Sequence, residues 1–513
     1  MVASAYSIAG QGEDSSRVFK MPNAGDIFIL TAFAWATLCF FIVTIGTKLF
    51  VKLALVSGSV AVRELIRGDQ SAVAVVMLIG IMAIALGYFL LVRYPYFLLG
   101  AMLFGPTFGA AEWDVVHDPA FALRYLCMVY LGVFGLLFLL QNIWRLLASP
   151  YYRLILLYLA WTALVVVING FEFRDIWYLA TEFTLMLAFG AGWVARINSP
   201  DKFIDFNKFI AYIAIPVTLL HLISPLVIET AIAGGRFQSY FSRPTGFSIV
   251  YSLFAVALFW LSMHEKRKLI KLTATAFALI SFGLILFSGT RNAAVATVIG
   301  VGILWWVFRT RIFTYIIVLA MVGLLVQILL SGNQDLEFIY SRLQSTENTR
   351  LDIWALYGKL VVDSPIFGYG YSGLSSAVYG DKVIEYASRR GFVNVPQVHN
   401  YYLGQAVRFG VPGLLIVLGI LYVSFRTAWQ VIFSAAVSVE DKKYYILPVA
   451  LLAMIALEGL FEDHIGSTGK GSLHGVLFGS SAYLVVVYGR RLLSEAVGKV
   501  ESVPLVAYGE GRF

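Results

Sequence analysis

The stretch "LILFSGTRNAAVATVIGVGILWW", residues 284–306, decides the fold class. Two apolar runs meet there at a four-residue junction, Ser288-Gly289-Thr290-Arg291. Similar runs recur along the chain, and an apolar run of about 18 residues or more is long enough to cross the hydrocarbon core of a bilayer. The sequence therefore predicts a chain that crosses a membrane many times, with an arginine at one of its hinges.

The composition supports a membrane protein. The chain has 513 residues, of which 59% are hydrophobic and only 13% are charged, whereas soluble domains carry about 25% charged residues. The net charge of +8 would suggest nucleic acid binding in a soluble protein, but these basic residues lie in short loops between apolar runs, which indicates membrane topology and no nucleic acid partner. Cys39 and Cys127 both lie in apolar runs, which favours small buried hydrophobic residues over a disulfide framework or a metal site.

The apolar runs predict an all-α fold, a polytopic bundle of about 12–14 transmembrane helices with one large extracytoplasmic loop. The predicted spans are 27–47, 71–92, 124–144, 154–169, 177–195, 209–228, 246–263, 273–287, 292–308, 312–331, 400–425, 444–458 and 472–489. The predicted divisions are a polar N-terminal segment (1–26), N-terminal transmembrane helices (27–331), a periplasmic loop (332–399), C-terminal transmembrane helices (400–489) and a cytoplasmic tail (490–513).

The charges of the loops predict the orientation of the spans. "HEKRKLIKL" (264–272) has four basic residues in nine, and "RTR" (309–311), "EDKK" (440–443) and "GRRLL" (489–493) are also basic or mixed. Such clusters belong on the cytoplasmic side. The long stretch 332–399 has no such cluster and is predicted to lie outside. Span 273–287 then runs outward, so that Arg291 lies at the outer membrane boundary.

Arg291 opens an inward-running helix at that boundary. A helix start offers unpaired N–H groups and the positive end of the helix dipole, and Ser288 or Thr290 is expected to cap it. With a guanidinium added, the hinge becomes a candidate site for a phosphate or a carboxylate. The alternative is that Arg291 only reaches up to the lipid headgroups.

Other polar residues are predicted at the same outer face. Arg243 and the pair His399-Asn400 each stand at the start of an inward-running span, and Arg350 opens a predicted amphipathic helix in the large loop. Several fixed cations would suit an anionic, lipid-linked substrate and would stabilise a pyrophosphate leaving group. An imidazole can take the proton of an attacking hydroxyl. Asn400 either orients His399 or caps the helix that follows.

Four stretches in this region carry a resemblance to a known family. They are "RPTGF" (243–247), "SGTRNA" (288–293), "RLDIWALYGKLVVDSPIFGYGYSGL" (350–374) and "VHNYYLGQAVRFGVPGLL" (398–415). Their order and spacing resemble the O-antigen ligase and O-antigen polymerase superfamily, whose shared segment is called the Wzy-C or O-antigen ligase-like region.

The resemblance implies an integral inner-membrane glycosyltransferase of bacteria with a GT-C-like fold. Such proteins act at the periplasmic face on glycans carried by undecaprenyl pyrophosphate, with neither a metal ion nor a nucleotide-sugar cofactor. The acceptor is lipid A–core oligosaccharide in a ligase and another glycan in a polymerase. The functional arginines of the family correspond to Arg291 and Arg350, and its histidine corresponds to His399. Arg243 is expected to help hold the donor, and the expected attack inverts the anomeric carbon.

Two further features are open to a functional interpretation. Arg389 and Arg390 could meet an acidic glycan or the donor phosphate, but a solvated loop pair is favoured. The predicted outer loop "LEGLFEDHIGSTGKG" (457–471) places Glu458, Glu462, Asp463 and His464 close together. They could bind a metal or sugar hydroxyls, but a solvated loop is again favoured.

The alternative function for the whole chain is transport, for example as a flippase for lipid-linked glycans. A transporter more often has internal repeats and ionisable residues in the middle of its spans. In this chain the ionisable residues gather at one face beside a long outer loop, which favours chemistry at the membrane surface.

Overall fold

The computed structural model describes residues 149–170, 203–233, 236–241, 244–309, 349–371, 398–463 and 472–496, with isolated positions at 120, 147, 175, 178 and 179. Helices make up most of these ranges. They are α1 (Pro150–Ile168), α2 (Phe203–Val227), α3 (Pro244–His264), α4 (Lys268–Phe287), α5 (Arg291–Phe308), α6 (Thr349–Asp363), α7 (Tyr401–Phe433), α8 (Val439–Glu458), α9 (Ser472–Tyr483) and α10 (Gly489–Ala496). A π-helical segment, Leu484–Tyr488, joins α9 to α10.

The connection between α2 and α3 contains the strands seen in the described residues. A 3₁₀ turn (Glu229–Ala231) leads into β1 (Ile232–Ala233), which pairs antiparallel with β2 (Arg236–Phe237). This small hairpin holds Arg236 over the junction that precedes α5.

Six described helices are long and apolar enough to cross a membrane: α1, α2, α3, α4, α5 and α7. The protein is therefore an all-α, multi-pass membrane protein, as the sequence predicts. The predicted spans 27–47, 71–92, 124–144 and 312–331 lie outside the described residues, as does nearly all of 177–195. The total number of spans stays a prediction.

Helix α3 forms the centre of the bundle, with every residue from Gly246 to Ser262 buried. Its apolar surface continues all round, which is the pattern of a helix enclosed by other helices. Helices α2, α4, α5 and α8 pack against it. Gly300 of α5 lets this helix approach Met454 and Val256 closely, because a Cβ at that position would lie 2.5 Å from the Met454 sulfur.

Contacts along α3 give the direction of its neighbours. Near its start, the Ser252 hydroxyl donates to Glu458 Oε1 (2.8 Å), and near its end the Trp260 indole N–H donates to the Lys443 carbonyl (2.8 Å), so α8 runs antiparallel to α3. The rings of His264 and Phe308 lie 6.4 Å apart, so α5 runs parallel to α3.

Helix α7 begins beside the end of α8. The Tyr401 N–H donates to the Gly459 carbonyl (2.7 Å), and the Tyr402 hydroxyl donates to the Ala456 carbonyl (2.8 Å). The starts of α3, α5 and α7 and the end of α8 therefore share one end of the bundle, which we name the site end. The opposite end, where α3 and α5 finish and α8 begins, is the basic end.

Most of the predicted spans that fall on described helices are shorter than those helices. Helix α7 continues to Phe433, past the predicted limit at 425, and α8 begins at Val439, before the predicted start at 444. The added residues include Arg426, Gln430 and Glu440. Hydropathy detects only the part of a helix that fits the hydrocarbon core, and these polar turns continue the helix beyond it.

Candidate active site

A single carboxylate joins two of the predicted functional residues. Glu462, in the turn after α8, accepts a hydrogen bond from Arg350 Nη2 at Oε1 (2.7 Å) and one from His399 Nδ1 at Oε2 (3.1 Å). Arg350 Nη1 also donates to the Phe461 carbonyl (2.7 Å). The Glu462 side chain is 6% exposed, whereas those of Arg350 and His399 are 28% and 32% exposed. The loop helix α6 and the start of α7 therefore meet at the site end of the bundle.

The hydrogen bond to Glu462 fixes the orientation of the His399 ring. An ionised carboxylate can only accept hydrogen bonds, so Nδ1 carries the proton. In the neutral ring this leaves Nε2 as the nitrogen with a lone pair. The arrangement is that of a general base whose orientation is set by a second group.

The backbone at His399 is held in a conformation that is uncommon for this residue type. Its φ is 47°, in the left-handed region, which only glycine visits at low cost. On one side, Trp354 Nε1 of α6 donates to the Val398 carbonyl (3.1 Å). On the other side, Asn400 caps α7, its Oδ1 accepting from the Leu403 N–H (2.9 Å). Asn400 therefore acts as the helix cap, one of the two roles expected from the sequence.

A second ion pair lies beside the first. Arg408 of α7 donates to Asp463 Oδ2, next to Glu462 in the chain. Burial raises the pKa of the Asp463 carboxyl, while the adjacent Arg408 guanidinium opposes the change. Because Gly404 has no side chain, the Asp463 carboxylate can lie against α7, within 3.2 Å of the place a Cβ would occupy.

Segments 364–371 and 407–413, which both belong to the sequence motifs, are joined by backbone hydrogen bonds around a break in α7. At Gly410 the helix is interrupted by a φ of 69°, which frees backbone carbonyls that would otherwise bond within the helix. The N–H groups of Tyr369 and Gly370 donate to the Arg408 carbonyl (3.1 and 2.8 Å), and the Val411 N–H donates to the Pro365 carbonyl (2.7 Å). These bonds attach the end of α6 to α7, so they fix Arg350 and His399 relative to each other.

Arg291 starts α5 at the site end, where it is exposed. The expected cap is wrong, because neither Ser288 nor Thr290 caps this helix with its side chain. Ser288 Oγ instead donates to the Ile285 carbonyl (2.6 Å), closing the preceding helix. Arg236 of β2 lies over the junction, its Nε donating to the Ser288 carbonyl (2.7 Å). A second guanidinium thus accompanies Arg291 at this helix start.

An apolar groove of about 990 Å³ opens between α6, α7 and α8. At its polar end it is lined by Trp354, Asn400 and Tyr402, next to His399. From there the lining is aliphatic and aromatic as far as Leu421 and Phe425 of α7. A groove of this composition suits a hydrocarbon chain and offers nothing to a charged solute.

Several residues proposed from the sequence fall outside the described part of the chain. They are Arg243, Arg389, Arg390 and His464. Among the residues that are described, no group of three or more His, Cys, Asp or Glu side chains is arranged to hold a metal ion.

Sequence patterns miss or undervalue three residues of the cluster. For Glu462 and Asp463 the favoured solvated loop is wrong, because both are buried or nearly so against cationic partners. Arg408 is not among the predicted site residues, although it is a charged residue inside an apolar span. Such residues usually mark functional or paired positions, so that rule would have found it.

A known protein family matches part of this chain. The sequence model of the family described as O-Antigen ligase matches residues 276–418. This part of the chain is similar to the O-antigen ligase family. The match runs from the middle of α4 into α7 and includes Arg291, Arg350, His399 and Arg408. It confirms the resemblance to the O-antigen ligase-like superfamily and supports an O-antigen ligase- or polymerase-like membrane function.

The O-antigen ligase match ends before the turn that carries Glu462. A search of curated proteins found no match to the chain. Residues beyond the matched segment are therefore interpreted from their contacts alone.

Proposed function

We propose that this protein is a glycosyltransferase of the bacterial inner membrane. Its donor would be a glycan linked to undecaprenyl pyrophosphate, and the reaction would take place at the periplasmic face. The acceptor would be another glycan, as in a polymerase, or lipid A–core oligosaccharide, as in a ligase.

The observation that carries the proposal is the convergence of Arg350 and His399 on Glu462. These residues come from the loop helix α6 and from the start of α7. An arginine is suited to bind a pyrophosphate, and a histidine oriented by a carboxylate is suited to accept a proton. Both chemistries are needed when a hydroxyl displaces a diphosphate from an anomeric carbon.

The apolar groove supports a lipid-linked donor. Its polar end adjoins His399 through Trp354 and Asn400, and its apolar end extends down α7. A polyprenyl tail in this groove would place its pyrophosphate at the site end. Arg350 would then meet the pyrophosphate beside His399, with Arg291, at the start of a neighbouring helix, adding positive charge.

The proposed step is a direct displacement. The acceptor hydroxyl oxygen forms a bond to the anomeric carbon as the bond from this carbon to the diphosphate oxygen breaks. The bonding pair leaves with undecaprenyl pyrophosphate, stabilised by Arg291 and Arg350 with help from Arg243. His399 Nε2 receives the hydroxyl proton, and Glu462 stabilises the imidazolium that forms. Attack opposite the leaving group inverts the anomeric configuration, and the arginines take the place that a metal ion has in other transferases.

The distribution of charge supports a periplasmic active site. The loops and helix ends at the basic end carry Lys266, Arg267, Arg309, Lys442 and Lys443, which the positive-inside rule assigns to the cytoplasm. The site end, where Glu229, Glu462 and Asp463 offset the arginines, would then face outward.

The test uses lipid-linked glycan extracted from a strain that lacks this protein. Purified protein is added in detergent together with lipid A–core oligosaccharide as a possible acceptor, and the release of undecaprenyl pyrophosphate is measured. We expect Arg350→Ala and Arg291→Ala each to lower turnover by about 100-fold or more, and His399→Asn by about 10²–10⁴-fold. Asparagine is used because it tolerates the left-handed backbone at this position. Arg267→Ala, at the basic end, is the matched control and is expected to keep wild-type turnover.

Wild-type turnover in all three site variants would contradict the proposal, provided that they remain folded. A transporter would give a different result: the purified protein would move the donor across vesicle membranes without consuming it. The products also separate ligase from polymerase, because only a polymerase lengthens the lipid-linked glycan when no other acceptor is added.

A further inference from the structure

A buried polar group lies directly behind the candidate site. His474 Nε2 of α9 and Glu458 Oε2 of α8 are 2.9 Å apart, and Ser252 Oγ of α3 donates to the other Glu458 oxygen (2.8 Å). The side chains of His474 and Glu458 are 1% and 2% exposed. Neither residue takes part in the proposed transfer, so the group needs another explanation.

Stability alone is a weak reason to keep such a group. Replacing a buried ion pair by apolar residues of similar volume is often neutral or stabilising, and ionisable residues are expensive inside a membrane protein. The Glu458–His474 pair therefore suggests a requirement for geometry at this point of the fold.

The geometry that Glu458 controls is that of the turn carrying Glu462. The Glu458 carbonyl accepts hydrogen bonds from the N–H groups of Phe461 and Glu462, both at 2.9 Å. Phe461 and Glu462 also bind Arg350, through the Phe461 carbonyl and the Glu462 carboxylate. The side chain of Glu458 is fixed to α3 and α9, while its main chain starts the turn that reaches Arg350 and His399.

We propose that Glu458 and His474 are positioning residues for the Glu462 carboxylate. By anchoring the last turn of α8 to two neighbouring helices, they hold residues 459–462 so that one carboxylate meets Arg350 and His399 together. Without the anchor, the turn can rotate, and a rotation moves Glu462 away from at least one of its partners. This inference rests on the proposed function, because its effect is expressed through the alignment of His399.

The inference is tested by combining substitutions at Glu458 and Glu462. Turnover is measured with the same extracted lipid-linked glycan. We expect Glu458→Leu to lower kcat about 10- to 100-fold, the range typical when the outer partners of metal ligands are removed. Glu458→Gln is expected to keep most of the activity, because an amide can accept from Ser252 and donate to a neutral His474.

The decisive measurement is the non-additivity of the two substitutions. If Glu458 acts through Glu462, then Glu458→Leu causes no further loss in a Glu462→Gln background. A general structural role would instead multiply the two losses, as expected for independent effects. Trp260→Phe is the matched control, because it removes a buried hydrogen bond to the opposite end of α8 and should leave kcat unchanged.

Each outcome of the experiment bears on one of the two proposals. If Arg350→Ala, His399→Asn and Glu462→Gln all keep wild-type turnover, the proposed function fails. If these variants are impaired while Glu458→Leu is fully active, or if the losses multiply, the positioning role is overturned and the proposed function stands. Should Glu458→Leu fail to fold, Ser252→Ala replaces it, with an expected loss of about two- to fivefold that is again absent in the Glu462→Gln background.

Discussion

At the scale of single residues, the backbone of His399 makes a prediction that separates folding from catalysis. A non-glycine residue in the left-handed region costs about 1–2 kcal/mol, and His399 has a φ of 47°. Glycine removes that strain but also removes the imidazole. We therefore expect His399→Gly to be inactive and yet more thermostable than His399→Ala, which keeps the strain. The measurement is the melting temperature of each purified variant in detergent, together with its turnover.

The comparison between glycine and alanine is internally controlled, because both variants lose the imidazole and its hydrogen bond to Glu462. Equal melting temperatures for the two variants would show that the strain at residue 399 is absent in solution. Strain held at a functional residue is usually compensated by its surroundings. Here the Asn400 cap and the bond from Trp354 to the Val398 carbonyl supply that compensation.

The residues of the site differ in how far the sequence can predict them. Arg350 and His399 are predictable because they stand at the starts of helices, inside motifs. Glu462 is not, because a charged residue in a short loop is normally solvated. Its burial depends on α6 and α7 folding over the end of α8, and no local pattern in residues 459–463 contains that information.

At the scale of secondary structure elements, the break in α7 depends on Gly410. A Cβ at this position would lie 1.9 Å from the Ile366 carbonyl oxygen, and the φ of 69° is itself unfavourable for other residues. Gly410→Ala should therefore destabilise the protein by more than the roughly 1–2 kcal/mol of backbone strain alone and lower turnover, since the docking of α6 on α7 is lost. Melting temperature and turnover of the purified variant measure both effects.

Gly283→Ala is the matched control for this substitution. Gly283 lies inside α4, and no atom of the described residues comes within 4 Å of the place a Cβ would occupy there. Alanine is also the better helix former by about 1 kcal/mol. This variant should be at least as stable as the wild type. If Gly410→Ala has the same melting temperature as the wild type, residues 364–371 do not pack against the break in α7 in the way that the structure shows.

The helices themselves are well predicted by the sequence, whereas the break is not. Hydropathy identifies α3, α4 and α5 to within a few residues of their observed limits, because long apolar runs have few other stable conformations in a bilayer. Glycine and proline are common in membrane helices, so Gly410 and Pro412 alone do not indicate an interruption. The break at Gly410 is stabilised by segment 364–371, which forms hydrogen bonds with the backbone groups that the break leaves unpaired. Only the folded structure shows that these two segments meet.

At the scale of the whole molecule, the two ends of the bundle differ in charge. Basic residues dominate the end where α2, α4, α8 and α10 begin, and arginines paired with acids occupy the site end. Among the described residues, those at this end include Lys208, Lys266, Arg267, Lys268, Lys271, Arg309, Lys442, Lys443, Arg490 and Arg491. This asymmetry predicts that the site end faces the periplasm. The proposed transfer of exported glycans requires the same orientation.

Single cysteines placed at the two ends test the orientation directly. The chain has two native cysteines, Cys39 and Cys127, which are first replaced by alanine. Thr230→Cys lies in the exposed turn after α2 at the site end, and Lys266→Cys lies in the exposed loop after α3 at the basic end. A membrane-impermeant maleimide added to intact spheroplasts should label Thr230→Cys and leave Lys266→Cys unmodified until the membrane is opened. The reverse labelling pattern would place Arg350 and His399 on the cytoplasmic side. An acceptor hydroxyl at the outer leaflet could not reach them there. The proposed glycan transfer at the periplasmic face would then be wrong.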